Sequence, residues 1–193
     1  MLSASAYLPG TVIEARISLG VCDRILAPMF LSGGLVLSQV TQLTGLEGYI
    51  VQNWVKRGYV SRPVSKKYTR CQFCRMLNIN VLKDSFSFEE SVKILSYVNG
   101  GMSEEFIDDS MLYACFVDLL ARINENSNAE DTVDITDITL KFAEEIASES
   151  GIIKNKKYAL KRLNTVLNIM VTSYKSFCIK NKAIGMFSAM DYK

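Results

Sequence analysis

Leu37–Tyr68 reads LSQVTQLTGLEGYIVQNWVKRGYVSRPVSKKY, and its pattern decides the fold. Two short helical periods flank Thr44-Gly45-Leu46, and a proline-broken basic loop then closes on Tyr68. That is the outline of a helix-turn-helix with a small wing, a unit that commonly reads duplex DNA. The spacing predicts a first helix opening at Ser38, whose hydroxyl can cap orphan amides, with Val40 and Leu43 inward. Gly45 suits the left-handed geometry that ends a helix, and Leu46 can plug the angle between the two helices. A second helix is expected from about Glu47 to Arg57, with Ile50, Val51, Trp54 and Val55 as its apolar stripe. Tyr49, Gln52, Asn53 and Lys56 then share the other face, where amides can pair bidentately with adenine. Arg57, Arg62, Lys66, Lys67 and Arg70 are the candidates for holding phosphates. The same pattern also fits an ordinary helical hairpin with a polar surface.

Charge separates these readings. The formal net charge of +2 is unevenly spread. Val36–Lys83 carries eight bases against Glu47, a net of +7. Asp84–Glu149 carries sixteen acids against three bases, a net of −13, and Ser150–Lys182 has eight bases and no acid. A basic zone over the helix-turn-helix pattern is the footprint a phosphate-binding surface needs. The acidic middle is expected to sit away from a duplex. Each run also fits a merely solvated face, the C-terminal one above all.

With 193 residues, 49% apolar content and three prolines, the chain has the bulk for a folded core. No apolar run approaches the ~20 residues that span a bilayer. The opening residues MLSASAYLPGTVIEARISLG lack the basic start and apolar run of a signal peptide, so a cytoplasmic protein is expected. Five scattered cysteines (Cys22, Cys71, Cys74, Cys115, Cys178) fit reduced thiols. With no histidine, Ser-His-Asp and Cys-His catalysis and His-bound zinc are excluded. Neither a GxxxxGK[ST] loop nor a GxGxxG fingerprint occurs. Cys71-Gln-Phe-Cys74 has CxxC spacing but no second pair, and lies in a helical pattern, which favours buried thiols over a metal or redox site. Glu104, Glu105, Asp108 and Asp109 lack the alternation of a calcium loop and read as a helix start. No enzyme, metal or cofactor is expected.

Beyond the wing the pattern stays helical. Thr69 can cap a helix to about Lys83, and Ser87 with Glu90 forms a capping-box pair for the next. Gly100-Gly101 breaks that helix, and another follows from about Asp108 to Ile123. Asn124–Thr132 (NENSNAEDT) reads as a linker. Helices near Asp137–Ser150 and from about Asn155 to Lys180 complete the chain. The division expected is 1–35 as an N-terminal segment, 36–123 as the helix-turn-helix with its following helices, and 133–193 as a C-terminal helical region. At most a short β-pair is expected, around Ser61 and Lys67.

Gly45–Val60 resembles the recognition-helix signature of the MerR-type transcription regulators. Tyr68 falls where that family's wing returns to its third helix, and Asp84–Leu95 (DSFSFEESVKIL) resembles the segment after it. Gln52 and Trp54 depart from the arginine and tyrosine usual there, and Pro63–Tyr68 is shorter than the usual wing. Ile25–Phe116 resembles more closely a bacterial family common in Firmicutes, a domain of unknown function, through LSGGLVLSQV, QNWVKRG, KKY and DDSMLY. These resemblances imply an all-α fold with a MerR-like winged helix-turn-helix followed by a helical domain.

MerR-type dimers pair through a C-terminal helix. Leu160, Leu163, Leu167, Met170, Tyr174 and Phe177 recur at intervals of three and four, an a/d seam that fits a homodimer. Val166, Ile169 and Val171 add a second apolar face, which fits packing inside the chain instead. The function expected is sequence-specific duplex DNA binding by a transcription regulator, with no membrane partner and an effector that the sequence leaves open. The alternative is a protein-interaction or scaffold module on the same fold without DNA binding, and a small-ligand sensor is the third reading.

Overall fold

The computed structural model describes residues 7–100, 107–126, 135–149 and 157–190. Glu104, Glu105 and most of the Asn124–Thr132 linker lie outside those residues. At the centre stands α4 (Arg70–Leu82), with Phe73, Met76, Leu77, Ile79 and Leu82 fully buried. It is enclosed almost all round because α5 (Phe88–Tyr97), α6 (Asp109–Asn126) and α8 (Lys157–Ser188) pack against it. Its start is the expected one. The Thr69 hydroxyl accepts from the Gln72 amide at 3.2 Å, and Gln72 Oε1 accepts from the Thr69 amide at 2.8 Å. Ser87 and Glu90 make the same reciprocal pair at α5.

The all-α expectation holds in its coarser form: the fold is mainly α, with eight helices among the described residues and one two-stranded sheet. α1 (Val21–Met29) lies on α6, and α7 (Ile135–Glu149) lies on α8. Arg122 bridges α6 to α7 through Glu145 at 2.6 Å and covers the Phe142 ring. The loop before α1 is tied inward at three points. Asn80 Nδ2 donates to the Gly10 carbonyl at 2.8 Å, the Tyr113 hydroxyl to that of Pro9 at 2.6 Å, and the Gly20 amide to Asp118 Oδ1 at 2.8 Å.

Several local expectations are corrected. α2 (Leu37–Thr44) is not capped by Ser38; the Val36 amide is satisfied by Gln39 Oε1 at 2.9 Å, and Ser38 is exposed. The β-pair does not join Ser61 to Lys67. β1 (Leu35–Val36) pairs antiparallel with β2 (Lys67–Tyr68), Leu35 opposite Tyr68. A boundary between 35 and 36 would therefore cut a strand. Gly34 permits the pairing: at φ 125° its Cβ would stand 2.7 Å from the Tyr68 carbonyl oxygen.

The seam on α8 is corrected too. Leu163, Leu167 and Met170 are fully buried within the chain, and Tyr174 is nearly so, edge-on to Phe116 of α6. The 3–4 spacing serves intramolecular ridges, so these four are not offered to a second copy. Leu160 is half-buried, and Phe177 is left exposed.

Candidate nucleic-acid interface

α3 (Gly48–Lys56) joins α2 through Gly45, Leu46 and Glu47. Gly45 takes φ 69°, and its amide donates to the Thr41 carbonyl, closing α2. Leu46 is buried, with its amide on Thr44 Oγ1 at 3.2 Å. Val51 and Trp54 anchor α3, and the Trp54 indole packs edge-on to Phe88 of α5 with ring centroids 4.9 Å apart. Trp54 is therefore core, as its place in the apolar stripe predicts.

That anchoring turns the opposite face outward. Tyr49 is 71% exposed, and Gln52, Asn53 and Lys56 are exposed beside it. None of the four side chains has a hydrogen-bond or ion-pair partner among the described residues, so their polar groups are free to meet a ligand.

After α3, Val60 is buried and the chain forms a tight hairpin. The Val64 and Lys67 backbones exchange hydrogen bonds of 3.1 and 2.9 Å around Ser65 and Lys66. Both central residues have positive φ, 51° and 62°, as a type I′ turn requires. The turn lifts Lys66 into solvent.

The phosphate-holding candidates divide once their partners are seen. Arg62 and Lys66 are exposed and without an acidic partner among the described residues. Lys67 is half-buried, its Nζ on the Ser32 carbonyl at 2.8 Å. Arg57 lies 3.4 Å from Glu89, an exposed pair that exchanges readily. Arg70 is a correction: it is ion-paired to Asp23 of α1, which raises its pKa against the opposing effect of burial. Arg75 is likewise held by Asp109, 3.2 Å away and mostly buried. The +7 zone thus shrinks as a surface, because three of its bases meet acids from outside it.

Glu89 also corrects the expectation that the acidic stretch stands apart. Its Oε1 accepts from the Tyr59 hydroxyl at 2.7 Å, and that bond, with Arg57 adding to it, holds the carboxyl below its ordinary range. Sequence reasoning missed this latch because Tyr59 and Glu89 are thirty residues apart. The I′ turn was missed because Ser-Lys is not the Asn-Gly that marks one.

Burial holds the cysteine thiols neutral. Cys74 is fully buried and its thiol is pushed far up by burial, while burial takes Cys22 to about 11 and Cys115 to about 12. Such thiols are not the low-pKa nucleophiles of redox centres. Among the described residues no three of His, Cys, Asp and Glu gather to hold a metal ion, and no helix is long and apolar enough to cross a membrane.

Neither the curated proteins nor the solved structures include a match to this chain. Residues 32–116 carry a Domain of unknown function (DUF1836), which takes in the sheet, α2 to α5 and the first part of α6, and leaves α7 and α8 outside it.

Proposed function

We propose that this chain binds duplex DNA sequence-specifically, as a transcription regulator on a MerR-like winged helix-turn-helix. In this reading α3 enters the major groove, with Tyr49, Gln52, Asn53 and Lys56 toward the bases. Arg62 and Lys66 hold phosphates at the hairpin, and Lys67 and Arg57 join them when their weak partners yield. The observation that carries the reading is the outward face of α3. Four adjacent polar or aromatic side chains stand there without partners among the described residues, on a helix whose other face is anchored by Val51 and Trp54.

Fluorescence anisotropy on labelled duplexes, including the region upstream of the chain's own coding sequence, tests it. Four phosphate contacts predict a log–log salt slope of about −3 to −4. Absence of duplex binding at micromolar protein and low salt would sink the reading.

A protein-interaction module without DNA binding is the second reading. It draws on Tyr49, and on Val64 at the hairpin, which is 73% exposed. An exposed aromatic within a polar face is a common interface anchor. A homodimer would have to form without Leu163, Leu167, Met170 and Tyr174, whose burial lies within one chain.

A further inference from the structure

We propose that the cleft between the N-terminal loop and α8 is a binding site for a small aromatic anion. The cleft encloses about 630 Å3, within the range of small-molecule sites. Its walls come from distant parts of the chain: the loop at 7–11, the end of α2 at Thr44, the end of α4, and α8.

Three features define the site. Asn80 lines the cleft and is only 8% exposed. Its Nδ2 donates to the Gly10 carbonyl at 2.8 Å, which ties the loop at 7–11 to α4 and fixes that wall of the cleft. Tyr174 and Phe177 lie nearly parallel, 25° apart with centroids at 6.4 Å, and with Leu8 and Val81 they give flat apolar walls. This also accounts for Phe177, the seam residue left exposed. Lys83 and Lys182 line the rim without an acidic partner among the described residues. Asp84 is the acid on the rim, and Lys180 at 3.9 Å offsets it. The rim is therefore net cationic and selects an anion.

The site stands apart from the DNA-binding reading and does not depend on it. It adjoins α2, however: the Val12 amide of the same loop donates to the Leu43 carbonyl at 3.0 Å.

The probe for the test is 1-anilinonaphthalene-8-sulfonate, an aromatic sulfonate. Titration of the full chain should give saturable fluorescence at one probe per chain, and slower amide exchange over residues 8–13. Lys83→Glu with Lys182→Glu should weaken binding at least tenfold. Asn181→Trp, from an exposed position on the cleft wall, should plug the site and abolish binding with an unchanged circular dichroism spectrum. Ile184→Lys with Phe187→Lys, on the exposed end of α8, should leave binding intact. Non-saturable binding, full affinity in Asn181→Trp, or loss in the α8-end variant would each overturn the site.

Discussion

Asn53 and Arg62 illustrate how neighbouring exposed polar residues would do different work on a duplex. Asn53 stands on the outward face of α3, where its amide can meet a base edge in two hydrogen bonds, whereas Arg62 on the hairpin offers charge. Asn53→Ala should cost about 1–3 kcal/mol on a preferred site and little on random duplex. Arg62→Ala with Lys66→Ala should weaken all duplexes alike and flatten the salt slope by about 2. Equal losses from both variants on specific and random sequences, read by anisotropy, would show that α3 does not enter a groove. Cys22 offers a residue-scale test of the core. Burial raises its thiol from 9.0 to about 11. The folded state therefore favours the neutral thiol. That contribution is complete below pH 9 and is lost as the pH rises from 9 through 11, a change of roughly 2–3 kcal/mol. Urea melts at pH 8.5 and 11 should show Cys22→Ala losing less stability than the parent over that interval, by about this amount. An identical loss in both proteins would mean that Cys22 titrates as it does unfolded.

At the scale of elements, caps and turns differ in how openly they announce themselves. Thr69-x-x-Gln72 and Ser87-x-x-Glu90 are local devices: the bonds that start α4 and α5 lie within four residues, so the pattern contains the whole cause. Gly45 is of the same kind. The cap expected at Ser38 fails because Val36 is drawn into a strand with Lys67, and Gln39 takes over its amide. Ser65 and Lys66 adopt left-handed backbone without glycine or asparagine, a conformation costly for ordinary side chains. Ser65→Asn with Lys66→Gly should therefore stabilise the chain by about 1–2 kcal/mol in denaturant melts. The same change removes an exposed cation, so DNA affinity should fall and the salt slope lessen by about 1. A variant more stable and equally tight on DNA would remove Lys66 from the interface.

For the molecule as a whole, α8 decides between pairing with a second copy and completing the core. Leu167 is fully buried against the chain's own helices, so Leu167→Glu leaves a carboxylate without a partner in an apolar interior. Loss of helicity in circular dichroism is the expected outcome. A helical monomer formed from a wild-type dimer, seen by light scattering, would show instead that this side chain faces a partner. The 3–4 repeat from Leu160 to Phe177 could not settle this, because core helices and coiled coils bury the same spacing. The candidate interface was legible in the same uneven way. Tyr49, Gln52, Asn53 and Lys56 were readable as one exposed face from helical periodicity, since Val51 and Trp54 must turn inward. The fate of Arg70, Arg75 and Arg57 was not readable, since Asp23, Asp109 and Glu89 reach them only after distant segments have packed. The sequence by itself determined the mainly helical class, the α2–Gly45–α3 connection and the capping boxes, because their causes are bonds and periodicities spanning a few residues. Tertiary structure alone decided the β1–β2 pairing, which cations remain free, the burial of the α8 stripe and the cleft at Asn80, because each depends on groups separated by about thirty residues or more along the chain.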